Sequence, residues 1–217
     1  DLHIPICKSF GTDQGFEVAR TGLQVLGGVG FTKHFPLEQN IRDQKIGSIY
    51  EGTNGIQALD LVGRKFNSKK GQLLKVLEKE LCWFDNRSTE GELTAWVSEW
   101  NNYRKLMNES IDCMRKIGET KGKDGYILYA ANMLDLMGDV LCSFYLLKQA
   151  ETAQIKWKAI SAQTVSQEEL LADNKEAQFY WNKLRTVEYY VWSVLPRALA
   201  NAKTIKNSNL SPLNACL

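Results

Sequence analysis

The chain has 217 residues, of which 44% are hydrophobic and 24% are charged. These proportions argue against intrinsic disorder and supply enough apolar side chains for a sizeable core. The formal net charge of +2 is too small to indicate a nucleic-acid partner or an anionic membrane surface.

Only four prolines occur, and alternating β-branched runs are almost absent, so we expect an all-α chain. The first predicted helix spans about residues 4–26 and ends at Gly27-Gly28-Val29-Gly30, since glycine adopts the positive φ of a helix C-terminus without strain. The second starts near Pro36, because proline suits the first turn of a helix, and ends near residue 45. A turn-rich stretch is predicted over residues 47–55 and a third helix over residues 56–65.

The second half of the chain predicts a helical bundle. Four sets of apolar residues recur at helical spacing, and each predicts the buried stripe of one amphipathic helix. The sets are Leu74, Leu77, Leu81 and Phe84; Met107, Ile111, Met114 and Ile117; Leu134, Met137, Leu141 and Tyr145; and Leu184, Val187, Val191, Val194 and Ala198.

Two helix starts are predicted by capping boxes, Thr89 with Glu92 and Ser166 with Glu169. In such a box the hydroxyl group accepts a hydrogen bond from a backbone N–H of the first turn. Loops are expected between the helices, and the polar tail is expected to fray. The expected loops are residues 67–71, 119–125 and 162–165, and the tail begins at residue 207.

The five cysteines and two histidines have no C-x-x-C or other metal-ligand spacing. We therefore predict no disulfide framework and no metal site. Free cysteines also indicate a reducing compartment. The most apolar stretch, residues 130–147, is interrupted by Asp135 and Asp139, so no transmembrane segment is expected. No signal peptide is visible, and a chain that begins with Asp1 rather than Met suggests a piece of a longer protein.

Residues 24–55 combine glycine and charged residues to an unusual degree. The glycine cluster at residues 27–30 is by itself most often a simple turn, and its spacing matches neither a dinucleotide-binding nor a Walker motif. A single glutamate such as Glu51 is normally a solvated surface charge. Glu51 nevertheless lies between bulky Tyr50 and Gly52, which lets another molecule approach the backbone, and a partly desolvated carboxylate there could act as a general base.

Several motifs occur in a fixed order: Gln-x-x-Gly-Gly-x-Gly-Phe from Gln24, a proline-led helix, Arg-Asp-x-Lys-Ile from Arg42, and Ile-Tyr-Glu-Gly-Thr from Ile49. Together with Phe10-Gly11-Thr12-Asp13 and the run from Glu51 to Lys65, they resemble the acyl-CoA dehydrogenase family. The combination is far more specific than any of these motifs alone.

The resemblance divides the chain into two domains. Residues 1–66 are similar to the end of the family's C-terminal helical domain, and residues 67–217 are similar in position to the helical extension of a subgroup that includes methylthiopropanoyl-CoA dehydrogenases. The expected fold is therefore an all-α helical bundle with an additional C-terminal helical extension, in which we find no catalytic motif.

The resemblance also implies an FAD-dependent oxidoreductase of fatty-acid β-oxidation, which converts an acyl-CoA thioester to a trans-2-enoyl-CoA. Glu51 would remove the proton next to the thioester carbonyl while flavin N5 takes the β-hydride, and Gly52 would contact the substrate. The electrons would then pass to an electron-transfer flavoprotein. Arg42 and Asp43 fit a structural ion pair better than a substrate-binding role.

The residues that would hold the FAD form two groups. One follows the base, where the Thr53 hydroxyl would contact the cofactor; the other matches a segment that reaches the ADP part of FAD in a neighbouring subunit. Asn54 replaces a longer side chain of other members, as does Gly55, so these two would contact FAD through the backbone. The groups are Thr53, Asn54 and Gly55, and Gln24, Val25, Leu26, Gly27 and Gly28.

The family's N-terminal helical domain and its middle β-domain are not in this sequence, and it is the β-domain that covers the flavin ring and much of the acyl chain. We therefore expect this chain by itself to be inactive, and a non-catalytic helical oligomerisation module or a degenerate relative is the alternative interpretation. The resemblance implies a homo-oligomer, either a dimer or a tetramer. It favours a bacterial cytoplasm, or the mitochondrial matrix if the protein is eukaryotic.

Overall fold

The computed structural model describes residues 1–162 and 166–214. All regular secondary structure in these two ranges is helical, which confirms the predicted all-α class. The α-helices are α1 (His3–Gly30), α2 (Leu37–Gly47), α3 (Asn54–Leu59), α4 (Gln72–Leu81), α5 (Glu92–Ile127), α6 (Ala130–Ser161), α7 (Gln167–Asp173), α8 (Lys175–Tyr189) and α9 (Ala198–Asn207). Helix α3 continues into a π-helical segment, Asp60–Lys65, and a second π-helical segment, Tyr190–Val194, follows α8.

Helix α6 lies at the centre of the bundle and contacts α1, α3, α5, α8 and α9. Among the described residues it is the one helix long and apolar enough to cross a membrane, judged over an 18-residue window. However, 67% of that window is buried inside the protein. Length and composition alone are weak evidence for a membrane span, and here the apolar residues form the core.

The predicted apolar stripes form this core. All members of the four sets are buried except Tyr145 and Val194, which are partly buried. At the centre, the Trp100 ring stacks on Phe144 with 5.4 Å between ring centroids, and Phe84 contacts both rings edge-on. The Trp100 Nε1–H group donates to the Val140 carbonyl at 3.0 Å, so the one polar atom of this buried ring has a partner.

Helices α1 and α2 form an antiparallel hairpin. Gly47 of α2 lies against Thr12, and Gly22 of α1 lies against Leu37, at the opposite end of the pair. A Cβ atom at Gly47 would come within 2.9 Å of Thr12 Cγ2, so glycine allows the two backbones to approach closely there. The predicted end of the first helix is confirmed by a break at Gly27, which has a φ of 62°.

Other local predictions had mixed outcomes. Ser166 accepts a hydrogen bond from the Glu169 N–H, which confirms that helix start. The Thr89 capping box is wrong: Gly91, with a φ of 59°, precedes α5 without a side-chain cap, and Glu92 pairs with Arg185 of α8 instead.

The loop expected over residues 119–125 is reduced to a break at Gly122, whose φ of 76° and ψ of −172° are non-helical. Glycine adopts this torsion without strain, so two helical segments meet at a kink within α5 instead of being joined by a longer loop. Residues 163–165 of another expected loop and residues 215–217 of the expected frayed tail lie outside the described residues.

Candidate active site

Glu51 lies in the loop that joins α2 to α3, and its side chain is exposed to solvent. Its φ is 52°, and that of Gly52 is 86°, so two consecutive residues adopt the left-handed region. Glycine does so freely, but for a residue with a Cβ this conformation is disfavoured. A backbone held in such a conformation is often found at a functional site, where surrounding contacts maintain it.

Hydrogen bonds hold this loop at both ends. The Tyr50 N–H donates to the Ile46 carbonyl at 3.1 Å, and the Asn54 N–H donates to the Ser48 carbonyl at 3.1 Å. The Gln57 amide group donates to the Gly52 carbonyl at 3.3 Å. The backbone on each side of Glu51 is therefore fixed by the loop's own contacts.

The residues after Glu51 begin α3. The Thr53 Oγ1 accepts a hydrogen bond from the Ile56 N–H at 3.2 Å and so caps the helix. The Asn54 side chain points to α1, where its Oδ1 accepts from Lys8 Nζ and its Nδ2 donates to Thr12 Oγ1, each at 3.1 Å. Gly55 is exposed. Both polar atoms of the Asn54 side chain therefore have hydrogen-bond partners in α1, so only the Asn54 backbone is left to contact a cofactor.

The second predicted group lies at the far end of α1. Gln24, Val25, Leu26, Gly27 and Gly28 are all exposed, and the space around an ideal Cβ at either glycine is empty. Their backbone is therefore open to another molecule.

The structure does not bring the two groups together. Asn54 packs beside Thr12, whereas Gln24 lies 12 residues further along α1. At 1.5 Å per residue this corresponds to about 18 Å along the helix axis. One compact ligand group cannot contact both.

Many large apolar side chains between residues 4 and 59 are exposed to solvent. Phe31 is 76% exposed and Ile49, beside the candidate base, is 54% exposed. Extended exposed apolar surface usually marks a contact with another protein region or ligand. The exposed apolar set is Ile4, Val18, Val25, Leu26, Val29, Phe31, Phe35, Ile46, Ile49, Tyr50, Ile56 and Leu59.

The predicted ion pair between Arg42 and Asp43 is wrong. Arg42 pairs with Glu38 at 3.2 Å, and Asp43 accepts from the Gln39 amide group at 3.3 Å. Both contacts join residues four apart, which face each other on a helix, whereas adjacent residues do not.

Sequence reasoning missed a polar junction between α1, α6 and the turn before α9. Asp139 is 2% exposed and accepts from Arg197 Nε at 2.9 Å, which compensates its buried charge. Loss of solvation raises the pKa of nearby Asp135 to about 6, with further contributions from the carboxylates of Asp13 and Asp139. Asp135 and Asp139 interrupt an apolar stretch, which was the available signal, but their partner Arg197 could not be identified from spacing.

The polar contacts of Asn54 were missed as well. Lys8 lies 46 residues before Asn54, and no pattern in the sequence relates the two.

Two family models match the chain. One, described as "Acyl-CoA dehydrogenase, C-terminal domain", matches residues 1–65, and one described as "Acetyl-CoA dehydrogenase C-terminal like" matches residues 78–215. The second match alone covers more than half of the chain.

Curated relatives include a butyryl-CoA dehydrogenase of Syntrophomonas wolfei, which is 29% identical over 210 residues, covering 97% of this chain and 33% of the relative. A 3-methylmercaptopropionyl-CoA dehydrogenase of Ruegeria pomeroyi is 29% identical over 220 residues, covering 99% of this chain and 34% of the relative. The chain thus spans about a third of the length of these relatives.

A solved structure of similar fold is the acyl-CoA dehydrogenase of Bacillus anthracis, crystallised in complex with FAD. It has a TM-score of 0.58 and 19% sequence identity, and the match covers 94% of this chain and 36% of that chain. At this identity the likeness shows the fold. Taken with the two family models, these findings show that the chain belongs to the acyl-CoA dehydrogenase family, in which it corresponds to the C-terminal helical region.

Proposed function

We propose that this chain supplies the catalytic base and part of the FAD site of an acyl-CoA dehydrogenase, which oxidises an acyl-CoA thioester to a trans-2-enoyl-CoA. The observation that carries the proposal is the loop at Glu51. There, in a chain that belongs to this family, an accessible carboxylate belongs to a residue whose backbone is in the left-handed region, and hydrogen bonds fix the backbone on both sides of it.

In this proposal Glu51 removes a proton from the carbon next to the thioester carbonyl, which the carbonyl acidifies. Gly52 lies directly beside the base and, lacking a Cβ, lets the substrate approach the backbone. Ile49 and Tyr50, both about half exposed, supply apolar surface around the carboxylate. Contact with substrate or with another domain would withdraw Glu51 from water and strengthen it as a base.

The residues assigned to FAD fit such a ligand. The open backbone at Gly27 and Gly28 allows close approach, and the Thr53 hydroxyl keeps its hydrogen free to donate, because its oxygen is the acceptor in the helix cap. Bound FAD would supply the acceptor for the hydride that leaves the β-carbon. Of the remaining cofactor residues, Gln24, Val25 and Leu26 would contact it at the end of α1, and Asn54 and Gly55 at the start of α3.

The 18 Å separation of the two groups along α1 supports contact with two different FAD molecules or two distant parts of one. The exposed apolar set supports self-association, so we propose a homo-oligomer, either a dimer or a tetramer. We further propose an electron-transfer flavoprotein as the electron acceptor. Because the relatives are bacterial enzymes, we place the protein in the cytoplasm.

We also propose that residues 1–66 complete the family's C-terminal helical domain and that residues 67–217 form a helical extension. The two family models support this division, since one ends at residue 65 and the other begins at residue 78. A tight turn follows the proposed boundary, in which Lys69, Lys70 and Gly71 all have positive φ.

The test uses the complete natural polypeptide that contains this chain. Glu51→Gln should keep FAD bound but lower the rate of substrate-driven flavin bleaching by roughly 10²- to 10⁴-fold, the usual contribution of a general base. The matched control is Glu119→Gln, which removes an exposed carboxylate of α5 and should bleach like the wild type. Normal bleaching by Glu51→Gln would reject Glu51 as the base.

The absorption spectrum of the wild type separates the two interpretations of the chain. A complete polypeptide that never retains FAD would support the non-catalytic oligomerisation module instead. The 217-residue chain alone should be colourless, because much of its candidate site is exposed. Substrate-sensitive flavin bands in this chain alone would show that it builds a working site without further domains.

A further inference from the structure

We propose that Lys8 is a positioning residue for Glu51, acting through the side chain of Asn54; the proposal rests on the function proposed above. Lys8 belongs to the first turns of α1, and Asn54 is the first residue of α3. The contact between them connects the loop that carries Glu51 to the longest element of the N-terminal part.

Asn54 connects the loop that carries Glu51 to α1 through its hydrogen bonds. Its backbone N–H donates to the Ser48 carbonyl and thereby closes the loop, while its side chain bonds to α1. Because both connections belong to one residue, movement of the Asn54 side chain would also move the end of the loop. Glu51 lies three residues before this anchor.

The contacts of the Asn54 side chain are specific. Its oxygen accepts from the Lys8 ammonium group at 3.1 Å, and its nitrogen donates to Thr12 Oγ1 at 3.1 Å. The Thr12 hydroxyl in turn donates to the Lys8 carbonyl at 2.9 Å, so its oxygen is oriented to accept. A hydrogen bond from a charged donor is stronger than one between neutral groups, which makes the Lys8 contact the main one.

Lys8 has no competing partner of opposite charge in residues 1–162 and 166–214, where the structure shows no carboxylate in an ion pair with it. Its ammonium group is partly buried and is directed to the amide oxygen of Asn54. Lys8 is also outside the apolar core, so its replacement removes the contact without opening a cavity.

The position of Glu51 depends on this anchor because its backbone torsion is disfavoured. A left-handed residue relaxes towards the common regions of φ and ψ when its neighbours no longer hold it. Gln57 secures the Gly52 carbonyl from α3 itself, so a shift of α3 relative to α1 would move this contact too. A displacement of about 1 Å at a catalytic group can lower the rate by up to about 100-fold.

The first experiment measures catalysis in the complete natural polypeptide. Lys8→Met should lower kcat roughly tenfold, with the FAD content and thermal midpoint close to the wild type, and Lys8→Arg should restore most of the rate. Lys33→Met, at an exposed site after α1, is the matched control and should have no effect. A kcat within twofold of the wild type for Lys8→Met would overturn the proposal.

A second set of variants tests whether Lys8 acts through Asn54. Asn54→Leu should lower kcat, and adding Lys8→Met to it should cause no further loss, because the contact is already absent. Multiplied losses in the double variant would show that Lys8 acts on the reaction by another route and would overturn the proposal. The Glu51→Gln variant distinguishes failure of this proposal from failure of the proposed function. Normal flavin bleaching in Glu51→Gln would reject Glu51 as the base, whatever the Lys8 variants show.

A third measurement needs no activity and uses the 217-residue chain. In Lys8→Met, the amide of Asn54 should exchange with deuterium at least roughly tenfold faster than in the wild type, while amides of α6 should be unchanged. Unchanged exchange at Asn54 would show that Lys8 does not hold the loop.

Discussion

The two ends of the chain differ in how they bury apolar side chains. Helix α2 contains no buried residue, although it includes Ile41 and Ile46. Helix α6 buries residues along most of its length, from Ala130 to Ala153, and its neighbours α5, α8 and α9 bury theirs against it. The bundle after residue 71 therefore supplies most of the core, to which residues such as Ile6 and Leu61 are added from the first part, whereas the surface that holds the candidate site exposes many apolar side chains.

This difference shows two ways of ordering a chain. The C-terminal bundle is held by packing, as at the stacked rings of Trp100 and Phe144. The loop at Glu51 is held by hydrogen bonds from Asn54 and Gln57, which leave its outer surface accessible. The proposed role of Glu51 requires this combination, because a catalytic loop must be fixed in position and still be accessible to substrate.

The largest expected effect is on stability, when a leucine is shortened to alanine in each of the two regions. Leu147→Ala, at a residue that is fully buried, should lower the free energy of unfolding by about 2–5 kcal/mol. Leu26→Ala, at a residue that is 38% exposed in the candidate FAD segment, should cost less than about 1 kcal/mol. Urea unfolding of the chain measures both, and equal losses would show that the two regions are packed alike.

A smaller effect, of opposite sign, is expected at the candidate base. Glu51→Gly removes the cost of a Cβ at positive φ and should raise the free energy of unfolding by about 0.5–1 kcal/mol, while it abolishes the proposed catalysis. Glu51→Ala keeps a Cβ and serves as the control, with no such gain. If Glu51→Gly lowered stability, the left-handed torsion would not be a source of strain.

The last effect concerns pH and the junction between the two regions. Because the pKa of Asp135 is about 6 in the folded chain, against a usual 3.8, the folded state binds more protons between these values. Its contribution to stability is therefore present below about pH 4 and is lost as the pH rises through 6. Asp135→Asn should gain stability relative to the wild type over this range, as followed by urea midpoints.

Asp13→Asn provides the control for this pH dependence. It removes one of the two carboxylates that raise the Asp135 pKa, so the transition should move to lower pH. A stability difference between Asp135→Asn and the wild type that does not change with pH would contradict the assignment.

Much of the fold followed from local patterns in the sequence. Apolar residues at helical spacing predicted the buried stripes, and glycine predicted the break at Gly27, because periodicity and backbone sterics act within a few residues. The ordered motifs around Glu51 also predicted the family. The Thr89 capping box was wrong because Glu92 pairs with Arg185 of a distant helix, a contact that local spacing does not contain. The Arg42–Asp43 pair was wrong for a local reason, since the predicted helix already placed Glu38, four residues before Arg42, on the same face.

The sequence by itself determined the helical class, most helix positions and the membership of Glu51 in a family motif. Only the tertiary structure decided that Lys8 meets Asn54, that Arg197 pairs with Asp139, and that the surface around Glu51 stays in water. The first two features join residues tens of positions apart. The third depends on which helix faces are covered by other helices. Such contacts are set by how whole helices pack, which local propensity does not specify.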